Sequence, residues 1–202
     1  QKSLTSTDVS QVVGLSACLT LKCSIPKAVE TPIALNILIP SGEPYAPTPR
    51  FRPANSPTSE SGQYVMGPML KQFEAELAAY HGTKYAIGLG NGTDAIWLAL
   101  MALDIGPGDE VITHANTFFA TAEAIWIAGA TAVLVDCDPV TKCIDPKKIE
   151  AAITPRTKAI MPVHLYGNVC DMDRIRAFAK RHKLWVIEDN AEAFGGAYKG
   201  KK

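Results

Sequence analysis

Residues 110–135 read EVITHANTFFATAEAIWIAGATAVLV. A short run rich in β-branched residues, 110–113, gives way over 118–128 to apolar residues at helical spacing, and a second short run, 132–135, follows Gly129. Runs of this length suit strands, and two strands joined through a helix can lie parallel in one sheet. The same grammar repeats on both sides. Apolar runs at 85–89, 159–163 and 184–187 predict three more strands, and 93–103, 146–153 and 172–182 predict the helices between them. Asp145-Pro146 and Asp171 are suited to open two of those helices. Upstream, Met69, Leu70, Phe73, Leu77 and Tyr80 share one helical face, with Pro68 suited to the first turn and Gly82 to the stop, so an opening helix is predicted. The expected class is α/β: a mainly parallel sheet lying between helices.

The text before residue 61 is different. It is rich in Ser, Thr and Pro, culminating in Pro40-Ser41-Gly42-Glu43-Pro44 and Pro47-Thr48-Pro49. Such punctuation opposes helices and central strands, so residues 1–60 are expected to form a loosely ordered or foreign extension to a domain spanning 61–202. The apolar stretch 12–19 is not read as a targeting signal, because Asp8 precedes it and Lys2 is the one basic residue ahead of it. The chain starts at Gln1 and stops at Gly200-Lys201-Lys202, so a fragment of a longer chain is expected.

Composition excludes several functions. Twenty basic residues balance twenty acidic ones, which removes the electrostatic reason to expect nucleic acid or an acidic membrane as partner. No apolar run approaches the roughly 18–20 residues needed to cross a bilayer. Cys18, Cys23, Cys137, Cys143 and Cys170 form no C-x-x-C pair and no zinc-like cluster with the four histidines. Free thiols in a reducing, cytoplasmic compartment are expected, and no metal.

Ligands of parallel α/β sheets bind beyond the carboxyl ends of the strands, and four such ends carry chemical groups. At Gly88-Leu89-Gly90-Asn91-Gly92-Thr93-Asp94, glycines allow close backbone approach and a helix start offers amides to a phosphate. Thr93 stands where a dinucleotide fingerprint needs Gly or Ala, which opposes a nicotinamide-dependent oxidoreductase. The turn suits one phosphate, held by the Thr93 hydroxyl and the amides of Thr93 and Asp94; a purely structural turn would read the same. Asp94 is expected to turn its carboxylate away or toward the helix terminus. Next, Phe118 could stack on a planar ring or belong to the core, and His114 carries the same ambiguity. After the 159–163 run, His164, Tyr166 and Asn168 could line a polar pocket, or His164 could be a satisfied structural histidine. Finally, Asp189 ends an apolar strand at the same edge, where an ionised carboxylate in a dry site needs a cation such as a protonated ring nitrogen; a helix cap is the alternative. A phosphate cradle, a stacking aromatic and a buried carboxylate are together the contacts that pyridoxal 5′-phosphate requires.

The segments Gly62-Gln63-Tyr64-Val65-Met66-Gly67-Pro68, Gly90-Asn91-Gly92-Thr93-Asp94-Ala95, Asn116-Thr117-Phe118-Phe119-Ala120-Thr121-Ala122, Pro162-Val163-His164-Leu165-Tyr166-Gly167 and Glu188-Asp189-Asn190-Ala191-Glu192-Ala193 carry a resemblance. Residues 62–202 resemble the amino-terminal part of the large domain of the DegT/DnrJ/EryC1/StrS sugar aminotransferases, which are fold-type I pyridoxal-phosphate enzymes of the aspartate-aminotransferase type. The resemblance implies that Gly92, Thr93 and Asp94 surround the cofactor phosphate, that Phe118 stacks on its ring and that Asp189 pairs with its pyridine nitrogen. Glu192 falls where such enzymes carry Gln or His near the cofactor's phenolic oxygen. A carboxylate there must be protonated, turned away or bonded to a neighbour. His164 and Tyr166 become candidate substrate contacts. The family's Schiff-base lysine is expected beyond Lys202, since Lys199, Lys201 and Lys202 are outside its motif. The residue at that position also separates the aminotransferases from the family's sugar dehydratases. Arg52–Thr58 is too short for the helix that family members carry before Gly62.

The resemblance implies amino transfer from an amino acid donor, glutamate, to a keto group of a nucleotide-linked deoxysugar. The 116–118 and 164–167 wording is similar to enzymes acting at a 3-keto position, and Glu192 to the 4-amino, perosamine-type enzymes. It implies a homodimer for the intact protein. A dehydratase of the same family and a non-catalytic remnant are the alternatives.

Overall fold

A computed structural model describes residues 65–202 and, further upstream, the backbone of two dipeptides. These are β1 (Lys22–Cys23) and β2 (Ile33–Ala34), which pair antiparallel. The expected extension over 1–60 and the 52–58 segment otherwise lie outside the described residues.

Four strands form one parallel sheet in the order β4-β3-β5-β6: β3 (Glu110–His114), β4 (Thr131–Val135), β5 (Thr157–Ile160) and β6 (Trp185–Val186). Five helices accompany them: α1 (Pro68–His81), α2 (Gly92–Ala102), α3 (Phe119–Ile127), α4 (Pro146–Ala152) and α5 (Met172–His182). Three of them form where the sequence supplies a start. Pro68 occupies the first turn of α1, Asp145 accepts from the Lys147 amide at 2.9 Å to cap α4, and Asp171 accepts from the Arg174 amide at 3.3 Å to cap α5. Gly82 ends α1 in the left-handed region, φ 64°, with no Cβ to oppose it.

Side-chain alternation along the strands assigns the helices to faces. Val111, Ala159, Met161 and Ile187 pack with Ala95, Ile96 and Leu100 of α2 and Ala124 and Ile125 of α3. Ile112, Ile160 and Val186 point the other way and pack with Ile149 of α4 and Met172, Ile175 and Ala179 of α5. The expected sheet between two helical layers is therefore present. Because β4 lies on one side of β3 and β5 on the other, the strand order reverses at β3 and β5, and the crevice at a reversal point is where ligands enter such sheets. The Thr113 hydroxyl donates to the Met161 carbonyl at 2.9 Å, tying the carboxyl ends of β3 and β5 together at that point.

One predicted strand is absent. Residues 85–89 form no strand, although Leu89 packs on the α2–α3 cluster and the Gly88 amide donates to Glu74 of α1 at 2.7 Å. Apolar, β-compatible residues give a segment the capacity to extend, but a strand exists only through ladder bonds to a neighbour, and no described segment supplies them. Conversely, the pairing at β5 and β6 runs on past both strands as a parallel bridge between Val163 and Asp189. Cys137, Cys143 and Cys170 are free thiols, the last two buried.

Candidate functional site

Asp189 sits where the extension of β6 leaves the sheet. Its amide donates to the Pro162 carbonyl and its carbonyl accepts from the His164 amide, both at 2.9 Å, so backbone ladder bonds fix its position. The side chain faces the α2–α3 layer, with 4% of the residue exposed. Its Oδ2 accepts from the Thr121 hydroxyl and its Oδ1 from the Ala191 amide, each at 3.1 Å. No ion pair among the described residues involves it. Burial pushes the carboxyl up to about 6, against the pull of those two hydrogen bonds and of His164, while Glu192 pushes the same way as burial. This is a buried carboxylate with hydrogen-bond donors but no cation.

Two further groups lie around it. Ala95, directly after the Gly90–Asp94 turn, and Leu89, directly before it, belong to the same packed cluster as Ile187 and Ala191, which flank Asp189. At the start of α2 the Asn91 side chain accepts from the Asp94 amide at 2.9 Å and donates to the Asp94 carboxylate at 2.8 Å. The Asp94 carboxylate is thereby folded onto the helix terminus, one of the two dispositions expected of it. Its amide, expected as a phosphate donor, is taken by the cap. The amides of Gly92 and Thr93 have no carbonyl within the helix to serve, and remain as the first-turn donors. On the other side, Phe118 is the N-cap residue of α3 and is 73% exposed, so it is a surface aromatic and not part of the core. It lies one turn before Thr121, which reaches Asp189.

The remaining candidates separate. Glu192 is exposed and its Oε2 accepts from the Tyr166 amide at 2.7 Å, so of the three dispositions open to it the structure adopts the bond to a neighbour. Tyr166 is 68% exposed in a 3-10 turn, Leu165–Gly167, at a left-handed φ of 55° that a non-glycine residue adopts only under constraint. His164 is buried. Its Nδ1 accepts from the Cys170 amide at 3.2 Å, which leaves Nε2 to donate to Glu188 at 3.2 Å, and Arg176 meets the same carboxylate at 3.2 Å. With both nitrogens engaged, His164 is the satisfied structural histidine that its sequence context allowed. His114 is fully buried with no hydrogen-bond partner at either nitrogen, and burial and then His164 hold it down to about 4, so it is a neutral core residue. Lys199 pairs with Asp173 and Lys202 lies over the Tyr80 ring.

The sequence reading missed Thr121 and Thr117. Their hydroxyls are 3.0 Å apart and Thr121 is 1% exposed. Their separation of four places both on one side of a helical start, a signal the sequence contains, but nothing local names Asp189 as their target.

The residues present fit pyridoxal phosphate. Among the described residues the buried Asp189 has no ion-pair partner such as a protonated ring nitrogen would supply, the first turn of α2 leaves amides without a carbonyl in the helix, and Phe118, one turn before Thr121, exposes an aromatic face.

Comparison with known proteins agrees. The profile of the DegT/DnrJ/EryC1/StrS aminotransferase family covers residues 50–202. Over 141 residues the chain is 58% identical to a pleiotropic regulatory protein of Geobacillus stearothermophilus, matching 70% of this chain and 38% of that protein. It is 53% identical to the UDP-2-acetamido-2-deoxy-3-oxo-D-glucuronate aminotransferase of Pseudomonas aeruginosa strain PAO1, with 70% and 39% matched. The GDP-perosamine synthase of Caulobacter vibrioides is 57% identical, with 68% and 37% matched. Among solved structures, the aminotransferase from Psychrobacter cryohalolentis superposes with a TM-score of 0.72 at 47% identity, covering 79% of this chain and 42% of that one. A Bacillus subtilis protein with bound cofactor PMP superposes at 0.61 and 49% identity, covering 65% and 30%. The chain thus spans less than two fifths of the length of the curated relatives it matches.

Proposed function

Because this chain belongs to the DegT/DnrJ/EryC1/StrS aminotransferase family, we propose that it supplies the phosphate, ring and ring-nitrogen contacts for pyridoxal phosphate in an enzyme that aminates a keto group of a nucleotide-linked sugar, with glutamate as donor. The observation that carries this reading is Asp189: a buried carboxylate, hydrogen-bonded on both oxygens, with no ion-pair partner among the described residues.

Each residue then has a task. The amides of Gly92 and Thr93 and the Thr93 hydroxyl bind the phosphate at the positive end of α2, and Asp94 joins them if its amide leaves the Asn91 cap. Phe118 covers one face of the ring and excludes water from it. Asp189 holds the proton on the ring nitrogen, and that contact returns to the carboxylate the counter-charge that burial withholds. When bound, the cofactor supplies the electron sink through which an amino group passes between donor and acceptor. Glu192 keeps the Tyr166 turn against the same edge, with the Tyr166 ring exposed to a sugar substrate. His164 supports that turn from beneath through Glu188 and Cys170.

A 3-keto acceptor is favoured by the 116–118 and 164–167 segments, and the similar Pseudomonas enzyme carries a 3-oxo sugar in its name. Residues 61–202 form part of the large domain, residues 1–60 are an extension to it, and the enzyme works as a homodimer in the cytoplasm. The test is amino transfer by the full-length gene product from 15N-glutamate to a nucleotide-linked 3-keto sugar. Appearance of 15N on the sugar supports the proposal; turnover of the sugar by dehydration without nitrogen gain refutes it in favour of a dehydratase.

A further inference from the structure

Thr121 lies on the first turn of α3 and Asp189 on the far side of the chain, beyond β6, yet the two meet in the interior. A threonine hydroxyl in a helix has a local alternative, the carbonyl one turn back, and here its oxygen is turned instead to a carboxylate 68 residues away. An ionised carboxylate only accepts, so the single Thr121 proton must go to Asp189 Oδ2. The contact of 3.0 Å between Thr121 and Thr117 is then necessarily donated by Thr117. A chain of one polarity results, running from Thr117 through Thr121 to Asp189.

We propose that Thr121 is a positioning residue of the cofactor site, holding the Asp189 carboxylate in one orientation and as the anion, and that Thr117 sets the direction of that bond. The proposal rests on the reading of Asp189 as the partner of a ring nitrogen. Two donors from separate elements, the Thr121 hydroxyl on α3 and the Ala191 amide in the following turn, fix one oxygen each, and this defines the carboxylate plane. Each oxygen keeps acceptor capacity for one more donor. The titratable groups acting on Asp189 are His164, from the turn after β5, whose influence favours the anion, and Glu192, on its own loop, which opposes it. From α3 it meets the Thr121 hydroxyl. Loss of the Thr121 donor therefore leaves burial less opposed, and the neutral acid gains.

The experiment uses the full chain labelled with 13C-aspartate, and D189N identifies the Asp189 carboxyl resonance. The wild-type signal is expected to titrate near pH 6. In T121V and T117V the midpoint should rise, and in T121S, which retains the hydroxyl, it should stay. Pyridoxamine 5′-phosphate, titrated at pH 7 by fluorescence, should bind T121V roughly tenfold more weakly than wild type, the effect of losing one hydrogen bond to a charge, and T121S within about twofold. Circular dichroism establishes that each variant is folded, and T121A replaces T121V if the latter is not. Titration and binding of T121V indistinguishable from T121S would overturn the proposal. If the wild type binds no pyridoxamine phosphate while T121V still moves the Asp189 midpoint, the cofactor reading fails and the Thr121 to Asp189 coupling stands.

Discussion

Glu192 accepts the Tyr166 backbone amide at 2.7 Å, joining the turn after β5 to the loop after β6 at the edge of the sheet where Asp189 is buried. The bond holds a tyrosine at φ 55°, a conformation whose cost of about 1–2 kcal/mol needs an opposing contact. The E192A variant is expected to remain folded but to lose amide protection at Tyr166 in hydrogen–deuterium exchange. Unchanged protection there would show that the turn is held by other means.

Asp189 has an opposite bearing on stability and on binding. Its folded value of about 6 lies above the usual ~3.9 of an unfolded aspartate, so between those pH values the folded chain holds the extra proton. Stability is therefore highest below the unfolded value and falls as pH rises through the folded one. At neutral pH the loss is on the order of 2–3 kcal/mol at most. D189N should unfold at higher urea than wild type at pH 7 and lose the downward slope between pH 4 and 6. Lower stability at pH 7 with the slope retained would contradict the assignment.

His114 works in the other direction. Its imidazole is held down to about 4 by burial and by His164, against about 6.5 when unfolded. The unfolded chain takes up a proton that the folded chain refuses, so stability is full above 6.5 and declines as pH falls toward 4. H114L removes both the titration and two unpartnered ring nitrogens, and should flatten the decline attributable to this residue in urea titrations at pH 7, 6 and 5. A decline as steep as that of wild type would place the cause elsewhere.

The Asp171 cap carries α5, whose Ile175 and Ala179 cover one face of the sheet. D171A should cost about 1 kcal/mol in denaturant unfolding, as the loss of an acidic N-cap generally does. It also removes the acceptor of the Tyr198 hydroxyl, 3.2 Å away. A change within 0.2 kcal/mol, an order-of-magnitude threshold well below ordinary cap values, would show the cap to be idle.

What was legible in the sequence was what local chemistry decides. Asp145, Asp171 and Gly82 mark helix ends through bonds to residues two to four positions away, Pro68 marks one through its fixed φ, and the structure places those ends accordingly. The alternation of strand and helix patterns already implied a sheet covered on both faces, and the structure turns Val111 and Ile187 to one layer and Ile112 and Val186 to the other. Pairing is a different matter, since residues 85–89 have strand composition but no described neighbour to bond with. The disposition of Glu192 was likewise open until the Tyr166 amide was found opposite it. Asp189 could be singled out from its place at a strand end, whereas Thr121 could not, because its role arises from a contact that only the folded chain creates.

The account stands on Asp189 serving a ring nitrogen, and pyridoxamine 5′-phosphate tests this without requiring a covalent link to the protein. Calorimetric titration of the full chain at pH 7 should give saturable 1:1 binding, strongly weakened in D189A and, by loss of a phosphate donor, more moderately in T93A, with inorganic phosphate competing. A folded wild-type chain that does not bind, or a D189A variant that binds as tightly as wild type, would contradict it.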